Sequence, residues 1–221
     1  MMTSFFKRAS ILLTILSLAS LGFAADGSLL KPPAGANVAV VVFEDLECPS
    51  CAHAYPVIWA VANSVKVPVV LHDFPLSKHP WSYKAAVIAR FFDTKSQTLG
   101  NDFRGYIYRS QSAITLDNLQ QFVQKFADDN HVPLPFSIDP QGLLKAKVDE
   151  DSKLGDRCGL SQTPTIFVVG GTQASSSFVE VTDLTKLTQT VQEMQKKFPA
   201  PAPRPSGQTK TKKGKQSAAK K

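Results

Sequence analysis

The run Asn37-Val-Ala-Val-Val-Val-Phe43 shows no polar alternation and leads, through Glu44-Asp-Leu-Glu47, straight into Cys48-Pro-Ser-Cys51. A short β-branched run of this kind reads as a strand covered on both faces, because a half-exposed strand would alternate. From Cys48 to Ala62 the pattern turns helical, with Cys48 at the opening and Pro49 in the first turn, where a missing N–H costs nothing. Two thiols one helical turn apart are thereby fixed at a strand-to-helix junction. The first amides of a helix are unpaired and its dipole is positive there, so a thiolate on Cys48 is favoured and its pKa should fall. Cys51 is near enough to attack a mixed disulfide on Cys48 and release the product. The pair is the minimum equipment for thiol–disulfide exchange, with Cys48 as the exposed nucleophile and Cys51 as the more buried resolving thiol.

Other uses of the pair are less well equipped. Attachment of a c-type haem needs His directly after the second Cys, and Ala52 stands there. A zinc site needs further ligands, and Cys158 and His53 do not supply a second pair at knuckle spacing. Three cysteines in all are too few for a disulfide-stapled scaffold or a Cys-only zinc site. No metal and no cofactor are expected. A static disulfide stays open as a reading, although a four-residue loop makes a weak staple.

The balance of 25 Lys and Arg against 18 Asp and Glu gives a net charge of +7, which at face value suggests a nucleic-acid or anionic-surface binder. The position of the charge argues otherwise. Lys7 and Arg8 precede a 17-residue uncharged stretch, Ala9 to Ala25, that ends in small residues. Basic, then apolar, then small is the order of a secretory signal, expected over residues 1–24 with cleavage after Ala24; the alternative is an uncleaved membrane anchor. Export places the cysteines in an oxidising compartment, the periplasm or another extracytoplasmic space. Residues 199–221 hold seven bases and no acid among Pro, Ser, Gly, Gln and Ala, a composition expected to stay disordered. Setting aside those seven and the two of the signal leaves 16 bases against all 18 acids for residues 25–198, a net −2. Nucleic acid is therefore not an expected partner, and only the tail could reach an anionic surface.

Val65 to Phe74 reads as a second strand, and Ser82–Phe92, Ser96–Arg109, Leu116–Asn130 and Pro140–Arg157 as helices. Thr165–Val169 and Ser177–Val181 read as a hairpin closed by Gly170-Gly171, and Asp183–Lys197 as a last helix. Pro56 is expected to kink or end the helix that Cys48 opens. The order βαβ, helices, ββα predicts an α/β fold with a small mixed sheet flanked by helices. Its parts are a short lead over 25–37, a sheet-bearing unit from 38–76 and 158–198, and an inserted helical unit over 77–157. Cys158 reads as a small apolar residue, with a regulatory or intermolecular thiol as the alternative. His53, some 140° round the helix from Cys48, reads as a surface side chain.

Three stretches, VAVVVFEDLECPSCAHAYP (38–56), DFPLSKHPWSYKAA (73–86) and GLSQTPTIFVVGG (159–171), make the chain resemble the DsbA-like branch of the thioredoxin superfamily. The resemblance implies a thioredoxin fold with an inserted helical lid. It also implies a cis peptide at Pro164, preceded by Thr163, whose backbone edge pairs with substrate beside the cysteines. The activity implied is that of a periplasmic thiol:disulfide oxidoreductase. It would oxidise reduced secreted proteins, be reoxidised by a quinone-linked membrane partner, and act as a monomer. The alternatives are a reductase or isomerase of the same fold, or a non-catalytic envelope adaptor with a static disulfide. Pro49 and Ser50 would tune the site, Pro49 by removing an amide and Ser50 by offering a hydroxyl. Many relatives carry an acid six positions before the first cysteine, where this chain has Val42, so transfer of the buried thiol's proton goes through Glu44, through water or through no group at all. Glu44, Asp45 and Glu47 read as a solvated acidic loop; the alternative is that their like charge raises the Cys48 pKa.

Overall fold

The β-branched run forms the strand β1 (Val38–Glu44), and all seven of its residues are buried. In the computed structural model, which describes residues 25–172 and 174–199, β1 is one of two central strands. The others are β2 (Val69–Asp73), β3 (Thr165–Gly171) and β4 (Ser176–Glu180), in the order β2-β1-β3-β4. β1 runs parallel to β2 and antiparallel to β3, and β3 pairs antiparallel with β4. The helices are α1 (Pro49–Val65), α2 (Ser82–Asp93), α3 (Gln97–Ser110), α4 (Leu119–Asp129), α5 (Leu143–Arg157) and α6 (Leu187–Lys197). The expected signal lies outside the described residues, as does the expected tail beyond Pro199.

Alternate residues of β1 serve two cores. Val38, Val40 and Val42 pack with Ala54, Ile58 and Ala62 of α1 and with Leu187, Val191 and Met194 of α6. Val41 and Phe43 face the other way, onto Leu30, Phe74, Phe167 and a fully buried Cys158. Cys158 thus packs as a small apolar side chain, and burial pushes its thiol up. A third core lies among the helices, where the rings of Phe92, Phe103 and Phe126 meet at centroid distances of 4.7–5.2 Å.

Some boundaries differ from the sequence pattern for local reasons. α1 runs on through Pro56, which lies on its exposed side, where loss of one backbone bond is tolerated. It also continues to Val65 and closes on Lys66 in the left-handed conformation (φ 57°), so β2 starts only at Val69. α4 begins at Leu119 because Thr115 and Asn118 bond reciprocally, each amide to the other's side-chain oxygen (2.6 and 3.3 Å). α5 begins at Leu143 because the Asp139 carboxylate accepts from the amides of Leu144 and Lys145 (3.1 and 2.8 Å).

Charged side chains join the sheet to the helices. Arg104 of α3 is fully buried, with Nε 3.0 Å from Glu44 Oε1 and a two-pronged bond to Asp93 (2.8 and 3.0 Å). Arg90 of α2 bonds Asp73 and Asp151, and Asp151 holds His72 Nδ1 at 2.6 Å, a partnership the sequence does not announce. Removing one partner of a buried charge pair costs about 3–5 kcal/mol because the others stay buried and uncompensated. Arg104→Ala should therefore lower the unfolding free energy by roughly that amount in urea titration; a loss under about 1 kcal/mol would contradict the role given to this cluster.

Candidate active site

Cys48 is the N-cap of α1 (φ −81°, ψ 120°) and Pro49 occupies the first position, as the sequence pattern requires. The strand β1 delivers the chain to this point, and the loop before β3 closes over it. The Thr163–Pro164 peptide is cis, and Cys48 Sγ lies 3.2 Å from the Thr163 carbonyl, to which the thiol donates. That loop, far along the chain, covers Cys48: its exposure is 6%, against 3% for Cys51, so the expected exposed nucleophile is itself buried. Pro49 and Ser50 are the exposed members of the motif.

The two sulfurs titrate in opposite directions. Cys48 is lowered from 9.0 to about 5, first by the thiol of Cys51 donating to it, against the opposing effect of burial, then by the side chain of Thr163 and the amides of Cys51 and Ser50. Cys51 goes far above the ordinary thiol range, chiefly through burial and then through its bond to Cys48 and that neighbour's charge. None of the three preceding carboxylates is among the main influences on Cys48.

Those carboxylates do not form a solvated loop. Glu44 is buried, its Oε2 accepting from Tyr108 Oη at 3.0 Å, and burial, partly offset by Arg104, raises its pKa to about 7. Asp45 is buried, and its carboxylate takes the amides of Glu47 (2.8 Å) and Leu76 (2.7 Å), Ser82 Oγ (2.5 Å) and His79 Nδ1 (2.7 Å). Glu47 accepts from the amides of Trp81 and Ser82 (2.8 and 3.1 Å), at the N-terminus of α2. The expectation of solvation fails because the loop after β2 and the first turn of α2 bring unpaired donors that these oxygens satisfy.

A cavity of about 10 Å³, room for one water, lies between Glu44 and Cys51, walled by Val42, Tyr55, Trp59 and Pro164 among others. On the other side of the cysteines, a groove of about 540 Å³ runs between Ser50 and His53 of α1, the segment Gln162–Ile166 and the end of β4. His53 is exposed, as expected, and lines that groove. Gln111 donates from Nε2 to the carbonyls of Leu46 and Cys48 (2.9 and 3.2 Å), steadying the turn that carries the first thiol. Gln111, Tyr108 and Arg104 carry no sequence signal of a role here; only the packing of α3 against α1 and α2 brings its end, and Gln111 after it, to Glu44 and the cysteine turn. Among the described residues no group of three or more His, Cys, Asp or Glu is placed to hold a metal ion.

The chain matches the family model described as Thioredoxin over residues 33–187. No curated protein sequence matches it. Among solved structures it is similar to alpha-DsbA1 of Wolbachia pipientis, with 16% identity and TM-score 0.60, covering 76% of this chain and 94% of that one. It is also similar to DsbA2 of Pseudomonas aeruginosa (20% identity, TM-score 0.54, 79% and 97% covered). A periplasmic thioredoxin-like protein of Salmonella enterica serovar Typhimurium matches at 15% identity and TM-score 0.58, over 74% and 87% of the two chains.

In the reduced protein the ultraviolet thiolate absorbance should form with a midpoint near pH 5, and Cys51→Ala should move that midpoint up by removing the strongest donor. A midpoint near 9 in the unaltered protein would contradict the assignment. The folded pKa of Cys48 lies below that of the unfolded chain, so its contribution to stability is complete above about pH 9 and disappears as pH falls through 5. The unfolding free energy of the reduced form should therefore rise between those values.

Proposed function

The chain belongs to the thioredoxin family, and from that membership we propose that it is an exported thiol:disulfide oxidoreductase, which transfers a Cys48–Cys51 disulfide to reduced secreted proteins. The observation that carries the reading is the placing of the two sulfurs, Cys48 at the head of α1 beside the Thr163 loop and Cys51 buried behind it, which lowers the first thiol and raises the second. A client thiolate attacks Cys48 Sγ of the disulfide, forming a mixed disulfide while Cys51 leaves and takes a proton. The client's second thiolate then attacks its own sulfur in that mixed disulfide, and Cys48 leaves as a thiolate. Two electrons pass from client to enzyme, and the stability of the Cys48 thiolate drives the second step. Thr163 and Pro164 border the groove in which the client segment lies, beside Pro49 and Ser50.

The proton that Cys51 takes up comes from Glu44 in this reading. Glu44 faces Cys51 across a space for one water and is close to half-protonated at neutral pH, so it can give the proton on oxidation of a client and accept one on reoxidation. It stands two residues along β1 from Val42, on the same side of the strand, and reaches the thiol from there. Reoxidation falls to a quinone-linked membrane partner. The periplasmic character of the Salmonella protein and the signal-like residues 1–24 support an extracytoplasmic location. Residues 77–157 act as an inserted helical unit, the protein works as a monomer, and the basic tail contacts anionic surfaces.

Cys48→Ser should abolish oxidation of a reduced model client, and Cys51→Ser should accumulate a mixed disulfide with it. Full activity in Cys48→Ser would overturn the mechanism. In stopped-flow oxidation of the client, the rate of Cys51 release should inflect near pH 7 and fall above it as Glu44 loses its proton. Glu44→Gln should slow that step and remove the inflection; an unchanged profile would eliminate Glu44 as the proton donor.

A further inference from the structure

The side chain of Asp45 sits at the junction between the cysteine loop and the start of the helical segment, and its main chain touches both cysteines. The Asp45 carbonyl accepts from the Cys48 amide at 3.0 Å, and the Asp45 amide donates to Cys51 Sγ at 3.5 Å. The carboxylate is fully buried and has four donors: the amides of Glu47 and Leu76, the hydroxyl of Ser82 and Nδ1 of His79. Three of these four come from the segment Leu76–Ser82, which links β2 to α2. That segment is itself braced, with the His79 amide donating to the Leu76 carbonyl (2.9 Å) and the Ser82 amide to the His79 carbonyl (3.3 Å).

We propose that Asp45 and His79 are a positioning pair for the resolving step: His79 and its neighbours fix the Asp45 carboxylate, which fixes the peptide whose amide faces the sulfur of Cys51. The proposal rests on the oxidoreductase reading and assigns a task within it. A sulfur that must become an attacking thiolate in a buried place gains from an aimed N–H. The Asp45 amide lies outside the α1 turn that serves Cys48, so the two cysteines have separate donors. His79 Nδ1 reaches Asp45 from a side chain only 15% exposed. Loss of the His79 bond leaves one buried carboxylate oxygen with the Leu76 amide alone and frees the loop to move.

The physical consequence is selective. Attack on Cys48 depends on groups at the head of α1 and on Thr163, none of which bonds the His79 side chain. Attack by Cys51 on a mixed disulfide depends on the Asp45 peptide and slows when it drifts. The step is an exchange: the Cys51 thiolate forms a bond to Cys48 Sγ, and the sulfur of the small thiol leaves with the electron pair and takes a proton from solvent.

The test uses glutathione as the small thiol. Reduced protein is mixed with oxidised glutathione, quenched with acid at intervals and weighed intact, so that formation and decay of the Cys48–glutathione species are followed separately. In His79→Leu the decay should be slower by about 3–10-fold, the range set by the net worth of one ordinary hydrogen bond because His79 acts on the sulfur only through Asp45, while formation and the Cys48 thiolate midpoint stay near those of the unaltered protein. His79→Gln, whose amide can still donate to Asp45, should restore most of the rate. If His79→Leu does not fold, Ser82→Ala removes a different single donor and should show the same direction of change. Decay at the native rate in a folded His79→Leu, or in Ser82→Ala where that variant stands in, would overturn the proposal. Failure of the unaltered protein to form any glutathione adduct would instead contradict the oxidoreductase reading itself.

Discussion

A negative sulfur at the head of a helix has to be held by its neighbours, because its own burial opposes the charge. At Cys48 the neighbours prevail, with the Cys51 thiol first among them and the amides of Cys51 and Ser50 behind it. Each belongs to the same turn of α1, so the geometry follows from a helix starting at the first cysteine. Thr163 completes the surroundings from the loop before β3, whose first residue Thr165 pairs with Phe43 near the end of β1. The charge that Cys48 gains is denied to Cys51, whose thiol is buried and lies against it. A pair divided in this way favours its reduced form, and the tendency to donate a disulfide follows.

Keeping the pair in place falls to charges that the fold buries on purpose-built partners. Glu44 is met by Tyr108 and Arg104, Asp45 by the Leu76–Ser82 segment, and Glu47 by the first amides of α2. All three are residues of one short stretch; Glu44 ties β1 to α3, while Asp45 and Glu47 tie the loop after β1 to the start of α2, where both bond Ser82. The helices are therefore fastened to the sheet at the site where the chemistry occurs. Removing a partner from Glu44 or Asp45 leaves a buried carboxylate less well compensated, which is the costly case for such groups.

Local pattern made much of this legible. The uncharged run of β1 and the Cys-Pro-Ser-Cys opening of α1 are written in adjacent residues, and the structure places them as that pattern requires. The cis proline was legible only by resemblance, since nothing around Pro164 names its isomer. What the pattern could not show were contacts between residues far apart in sequence. Cys48 read as exposed because the loop that covers it lies 115 residues away. The acidic loop read as solvated because its donors arrive with β2 and α2, and Asp45 meets His79 across 34 positions. Gln111 gave no signal at all. The starts of α4 and α5 shifted because Asn118 and Asp139 favour caps and turns over helix interior, a competition that periodicity does not register.

If the stabilised Cys48 thiolate makes this protein a disulfide donor, its reduction potential lies well above that of a reductase. Equilibrating the purified mature protein with glutathione buffers and scoring the fraction oxidised gives its reduction potential directly. The value should lie well above the roughly −270 mV of thioredoxin, toward the roughly −120 mV of DsbA. A potential at or below that of thioredoxin would contradict a donor role.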